Sequence, residues 1–322
     1  VITDLAASST DFAALQPRQF IGIPIALVGA VVMSIGAQLQ HRGVTKVELR
    51  TDHDGRGGLQ LRQLRLLLAR PSWVLGTIML GLAIVLQLTS LVFSPLIVVQ
   101  PLGAVSLVIT AIINARVSKT RLNKRSILAI CLCVGGVGAF VLVAAFAARE
   151  VPVTEANLVT ILIVLGVVLV VAAVAFAIFR RNLPAIGYVV GAGILYGFVA
   201  TLAKSVISRI EQQQFDWLTV CCLIALLAAV ILGAYFVQNA YASGPPDLVI
   251  AGLTVIDPLV AVTIGITILN EAAGAAGWQV AAFVAAGVVA IVGVFLLARV
   301  HPGVRTYDDN DDTQPASGQD PA

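Results

Sequence analysis

Charge is scarce in this chain. Asp, Glu, Lys and Arg make up 11% of its 322 residues, where a soluble domain carries about 25%. Too few charged groups remain to coat a water-exposed surface, which excludes an ordinary soluble fold. Histidine is nearly missing: His41, His53 and His301 are the three, and none lies inside an apolar run. Without them no Cys/His or Ser/His/Asp group can be assembled within the apolar part, so an enzyme is not expected. Cysteine is limited to Cys131, Cys133, Cys221 and Cys222, all inside apolar runs. The C-x-C and C-C spacings fit neither a disulfide framework nor a zinc site, and the thiols read as small apolar packing groups. Lysine occurs only at Lys46, Lys119, Lys124 and Lys204. Arginine in its place, with many Ala and Val, points to a GC-rich bacterial genome and a cytoplasmic (inner) membrane. Neither a cofactor nor a nucleic-acid partner is expected.

What is abundant is apolar length. The chain is 59% hydrophobic with a mean hydropathy of +0.97, and a run of about 20 apolar residues spans a bilayer as a helix. Nine such runs are read, at about 20–40, 72–93, 96–115, 126–148, 158–179, 184–204, 217–239, 248–269 and 277–298. The connections after spans 1, 3, 5 and 9 hold sixteen Lys and Arg residues. The other side holds four: Arg18, Arg149, Lys204 and Arg209. Positive charge gathers on the cytoplasmic side, so the N-terminus is expected outside and the C-terminus in the cytoplasm.

Residues 1–19 are polar and short of periodicity and read as a disordered extracytoplasmic leader, with no basic region of the signal-peptide kind. The basic cytoplasmic loop 41–70 contains Thr51-Asp52-His53-Asp54-Gly55. This opens like a calcium loop, but Gln63 stands where the closing Glu belongs, so it reads as a turn. Residues 59–70 mix leucines with Arg62, Arg65 and Arg70, as a basic helix lying on the inner leaflet does. The acidic tail, 303–322, reads as disordered.

One stretch stands out, Val255-Ile256-Asp257-Pro258-Leu259-Val260. It puts a carboxylate and a proline mid-way along span 8. An Asp at mid-membrane costs roughly 2.5–3.5 kcal/mol on insertion scales, and such residues usually face a partner or a water-filled path. Pro258 lacks an N–H and disfavours helical geometry at the residue before it. The expectation is a broken helix, with Asp257 near the cap and Pro258 opening the second half.

The same pattern occurs earlier. Val99-Gln100-Pro101-Leu102-Gly103-Ala104-Val105-Ser106 in span 3 echoes Ile256-Asp257-Pro258-Leu259-Val260-Ala261-Val262-Thr263 in span 8. Spans 1–4 (20–148) then pair with spans 6–9 (184–298), and span 5 (158–179) is an unpaired linker that inverts the second half. The fold expected is an all-α polytopic membrane protein of two inverted four-helix repeats. Inverted repeats with interrupted helices at matching positions point to a secondary transporter whose site lies between them. Asp257 and Gln100 head the candidate residues, with Pro101 and Pro258 beside them. Gln38, Gln87 and Asn239 are further amides in or near spans, and Gln238 precedes the last. Lys204 is placed at the outer end of span 6, where it would snorkel. Glu271 is placed at the outer end of span 8 as an interfacial cap. Gly187, Gly191, Gly193 and Gly197 form two offset G-x-x-x-G pairs that allow close helix approach.

The run from Phe93-Ser94-Pro95-Leu96 to Ser106, followed by Arg121-Leu122-Asn123, resembles the span 3–4 region of the drug/metabolite transporter superfamily. It is similar above all to the NIPA-type magnesium transporters. Pro258 and Leu269-Asn270-Glu271 also fit the superfamily, and a nine-span, N-out layout is what the NIPA branch implies, whereas EamA-type exporters usually have ten spans. One departure is Thr120-Arg121, where an acidic residue is expected before Leu122. The first functional reading is a transporter moving a small solute by alternating access, coupled to protons or cations. The alternative, implied by the resemblance, is a magnesium or other divalent-cation permease, with Asp257 as the metal ligand. A non-transporting scaffold is the third. Expected partners are the solute or ion, the lipid bilayer and, as an open alternative, a second copy in a homodimer.

Overall fold

The computed structural model describes residues 19–51, 68–117, 124–179, 184–244 and 246–300. The leader, the turn at Asp52–Gly55, most of the basic stretch 59–70, the Thr120-Arg121 departure and the acidic tail lie outside them. Every regular element among the described residues is helical. In chain order these are α1 (Gln19–Thr51), α2 (Pro71–Phe93), α3 (Leu96–Leu102), α4 (Ala104–Val117), α5 (Lys124–Ala147), α6 (Glu155–Phe179), α7 (Ala185–Glu211), α8 (Trp217–Ser243), α9 (Pro246–Thr267) and α10 (Gly277–Val300). With α3 and α4 together as one span, nine helical spans among the described residues are long and apolar enough to cross a membrane. The chain is a polytopic helical membrane protein. Helices are the form this sequence must take, because hydrocarbon offers no partner for a free N–H or C=O and a helix satisfies its own.

Hydrophobicity alone does not order these helices, since lipid is as apolar as Leu; close packing does. The seams run through glycines. A Cβ on Gly136 would sit 2.5 Å from the Ala290 backbone nitrogen, and one on Gly293 would sit 2.4 Å from that of Cys133. These two glycines let α5 and α10 meet backbone to backbone. Cys133 is fully buried in that seam, in keeping with its reading as a packing group. α1 packs on α2, and α7 packs on both α8 and α9. α6 is the most lipid-like span: only 11% of its most apolar window is buried, as suits a peripheral connector.

Two boundaries differ from expectation with consequences for the site. Against the expected break at Asp257-Pro258 in span 8, α9 runs unbroken through Pro258. Span 3 is the interrupted one. After Pro101 the ladder tightens, with the Gly103 N–H donating to the Gln100 carbonyl at 3.1 Å and that of Ser106 donating to Gly103 at 3.1 Å. Past the proline the two echoes differ first at the second residue, Gly103 in one and Val260 in the other. A proline removes one hydrogen bond and crowds the carbonyl four residues back, but it ends a helix only where the next residues are not held in place. Glycine is a weak helix residue. Val260 is pinned against α7 by Gly197, where a Cβ would sit 2.6 Å from the Val260 Cβ. The second boundary is the end of α7, which continues to Glu211. Lys204 is therefore seven residues, about 10 Å of helix, inside that end.

Candidate functional site

Asp257 lies mid-way along α9, on the stretch that meets the glycine face of α7. A Cβ on Gly193 would sit 2.6 Å from the Ile256 Cβ, and one on Gly197 would sit 3.0 Å from the Asp257 carbonyl oxygen. Of the two G-x-x-x-G pairs, this is the one that sets the approach of α7 to α9, while Gly191 faces the Phe236 ring of α8. Asp257 is half-buried as a residue, but its Oδ1 is occluded and has no hydrogen-bond partner. Among the described residues only one other side-chain atom shares that condition, Arg209 Nε. Tyr196 of α7 and Tyr241 of α8 lie within electrostatic reach of one another, and Asp257 within reach of Tyr196. A buried acceptor with no donor is costly, so Asp257 is where a proton, an ammonium group or a metal ion gains most.

Gln100 is buried on α3, and α3 packs against α9, so the echoed stretches sit on adjoining helices. Their prolines meet at one place. Pro101 and Pro258 line a single open cleft of about 90 Å³, together with Val137 and Phe140 of α5, Leu259 of α9 and Ile291 of α10. Its walls are almost wholly apolar. Asp257, Gln100 and the other amides are not among its lining residues. Gln38 and Gln87 sit half-buried on α1 and α2. Asn239 donates to the Tyr235 carbonyl of its own helix at 2.7 Å.

Lys204 departs most from its expected place. Instead of snorkelling, it is buried. Its Nζ donates to the carbonyls of Leu91 at 2.6 Å and Ser94 at 3.2 Å, and to Glu150 Oε1 at 3.1 Å. Those carbonyls are where α2 stops, so the ammonium sits at the negative end of that helix dipole. Glu271 is buried too, being 3% exposed. It does cap a helix, but a distant one. Leu96 N–H donates to its Oε1 and Ile97 N–H to its Oε2, each at 2.9 Å, at the start of α3, where Pro95 supplies no side-chain cap. Asn270, at φ 56°, turns the chain back. The Glu271 N–H then donates to the Gly265 carbonyl at 3.0 Å and the Arg149 N–H to the Glu271 carbonyl at 2.8 Å. Gly265 packs closely on this turn, since a Cβ there would lie 2.9 Å from Ile97 Cγ2 and 3.0 Å from Glu271 Oε2.

The family model described as "Magnesium transporter NIPA" matches residues 18–302. The chain belongs to the NIPA magnesium transporter family. An uncharacterized protein of Corynebacterium glutamicum is 27% identical over 282 residues, covering 87% of this chain and 95% of its own length. No solved structure matches the chain.

The NIPA match spans both the Asp257 region and the Lys204–Glu271 cluster. Among the described residues no three His, Cys, Asp or Glu side chains converge as a ready-made metal cage. Sequence reading missed Glu150 and undervalued Glu271. Both could have been found from charge rarity: Arg149, Glu150, Lys204 and Glu271 are charges next to or within apolar runs, all on the sparsely charged side of the chain.

Proposed function

We propose that this chain moves magnesium across a membrane, with Asp257 as the intramembrane ligand. The observation that carries the reading is the family match over 18–302, joined to an occluded Asp257 oxygen that lacks a partner. Mg²⁺ sheds water reluctantly and demands octahedral oxygen geometry. One carboxylate cannot strip it, so the ion is read as passing largely hydrated, with Asp257 and the Gln100 amide oxygen replacing part of its shell.

The two-repeat reading has support of its own. α1 on α2 is mirrored by α7 on α8, and α1 on α4 by α7 on α9. The pattern of buried and exposed positions along 81–90 recurs residue for residue along 231–240. That arrangement supports a reading in which the two halves alternate access to the site. The orientation with the N-terminus outside rests on the distribution of Lys and Arg.

A second reading is favoured by one feature, the apolar cleft between Pro101 and Pro258, which suits a small organic solute better than an ion. In that case Asp257 carries the coupling proton or a cationic group of the solute. Purified protein in liposomes loaded with a Mg²⁺-sensitive dye separates the two. Uptake above that of protein-free vesicles supports magnesium. No uptake, in vesicles where an established permease works, removes the magnesium reading.

A further inference from the structure

The cluster around Lys204 and Glu271 does something the proposed ion path does not require of it. Each charged group reaches out of the second half of the chain and grips the α2–α3 junction of the first. Lys204 holds the carbonyls where α2 stops, and Glu271 holds the amides where α3 starts. Glu150, from the α5–α6 connection, bonds the Lys204 ammonium, and the neighbouring Arg149 backbone ties in the Glu271 turn. A third tie, from the Asn157 side chain to the Ile268 carbonyl, closes the ring. Around it Leu91, Ser94, Leu96, Ile97 and Leu158 are all at most 1% exposed. This end of the bundle is shut. Gln100 lies one helical turn behind the shut ring on α3.

Apolar side chains would plug this end more cheaply, since desolvating charges costs more than their pairing commonly returns. What buried charged pairs do offer is a contact with two discrete states, made or broken. The gripped element suits that use. The α2–α3 junction is a break, held by no continuous helix, and α3 is only seven residues long.

We propose that Lys204 and Glu271 form the gate at this end of the bundle, and that its release opens a path to Gln100 and Asp257. The inference rests on the transport reading, since a gate has meaning only for a passage. Both residues are positioning residues: they set where α3 stands and touch no transported species.

The test is accessibility, measured without any substrate. The four native cysteines are replaced, a single cysteine is placed at Gln100, and the protein in sealed vesicles meets a membrane-impermeant thiol reagent from each side in turn. With Lys204 and Glu271 intact the thiol should be protected from the side of the cluster. Lys204→Met and Glu271→Gln should each speed its labelling from that side by at least about tenfold, the mark of a shifted two-state equilibrium. Lys204→Arg, which keeps the cation, should restore protection. A control cysteine at Ala129, fully buried in the bundle, should stay protected throughout. Labelling rates unchanged in both variants, or raised equally at position 129, would overturn the gate and leave a structural brace. Because the readout is labelling, a chain that moves no magnesium can still pass it. A chain that moves magnesium can fail it.

Discussion

Glu271 presents both carboxylate oxygens to backbone amides at the start of α3. Burial pushes its carboxyl up from the ordinary glutamate range, while the two amides and Lys204 pull it back and Glu150 adds to the rise. The net direction is up, so the folded chain holds this proton more tightly than the unfolded one. Stability then falls as pH climbs from about 4.3 through the raised value. Glu271→Gln has no proton to lose there, and its amide leaves one of the two N–H groups without an acceptor, at a cost of about 1–3 kcal/mol. Thermal melts in detergent from about pH 4 to about pH 8 should show a lower but flatter stability curve for the variant. Parallel curves for the two proteins would contradict this role. Lys204 and Glu271 were visible in the sequence as charges near span ends, but their partners were not. Lys204 is 113 residues from Leu91 and Glu271 is 175 from Leu96, and no local pattern encodes a contact of that separation. Asp257 was legible because a carboxylate amid an apolar run is rare wherever the chain folds.

At the scale of helices, all nine spans among the described residues were readable from apolar length, but not every end, since α7 continues seven residues past 204 to Glu211. The interruptions were not. Proline marked both candidate breaks, but the helix is interrupted only after Pro101 and runs on through Pro258, and neighbours decided which one yields. Pro258 stays within a continuous helix because α7 is pressed against Ile256 and Val260 through Gly193 and Gly197. Gly197→Leu should force α9 away from α7 and cost about 1–3 kcal/mol of stability, seen as a lower melting temperature in detergent. Gly166→Leu on α6, where a Cβ meets nothing within 4 Å, should melt like the unaltered protein. Equal melting temperatures for both variants would show that the α7–α9 seam is looser than described. Gly265→Ala carries the same argument to the Glu271 turn, where it should speed the labelling at Gln100 as Glu271→Gln does.

In the two-repeat reading the described spans are two sets of four joined by the peripheral α6, and the contacts of Lys204 and Glu271 cross between the sets at one end. The connections at 94–95, 148–154, 212–216 and 268–276 alternate with those at 52–70, 118–123, 180–184 and 244–245 along the chain. Crossing a bilayer at every span therefore puts the first group on one side and the second on the other. In the orientation proposed from the arginine distribution, the second group is cytoplasmic. A reporter active only in the cytoplasm should work when fused to the C-terminus and fail when inserted in the 212–216 connection. The reverse result would invert the account and turn the Lys204 end to the inside.

Asp257 remains the residue on which the transport reading turns. The most direct measurement is Mg²⁺ entry into dye-loaded proteoliposomes under an imposed potential, comparing the unaltered chain with Asp257→Asn. Asn keeps the size and half the polarity of Asp and removes the charge, so the variant should insert and elute from a sizing column unchanged. Flux in the unaltered protein and its loss in the variant is the predicted result. Equal flux in both would contradict the account, because magnesium would then cross this chain without its one mid-membrane carboxylate.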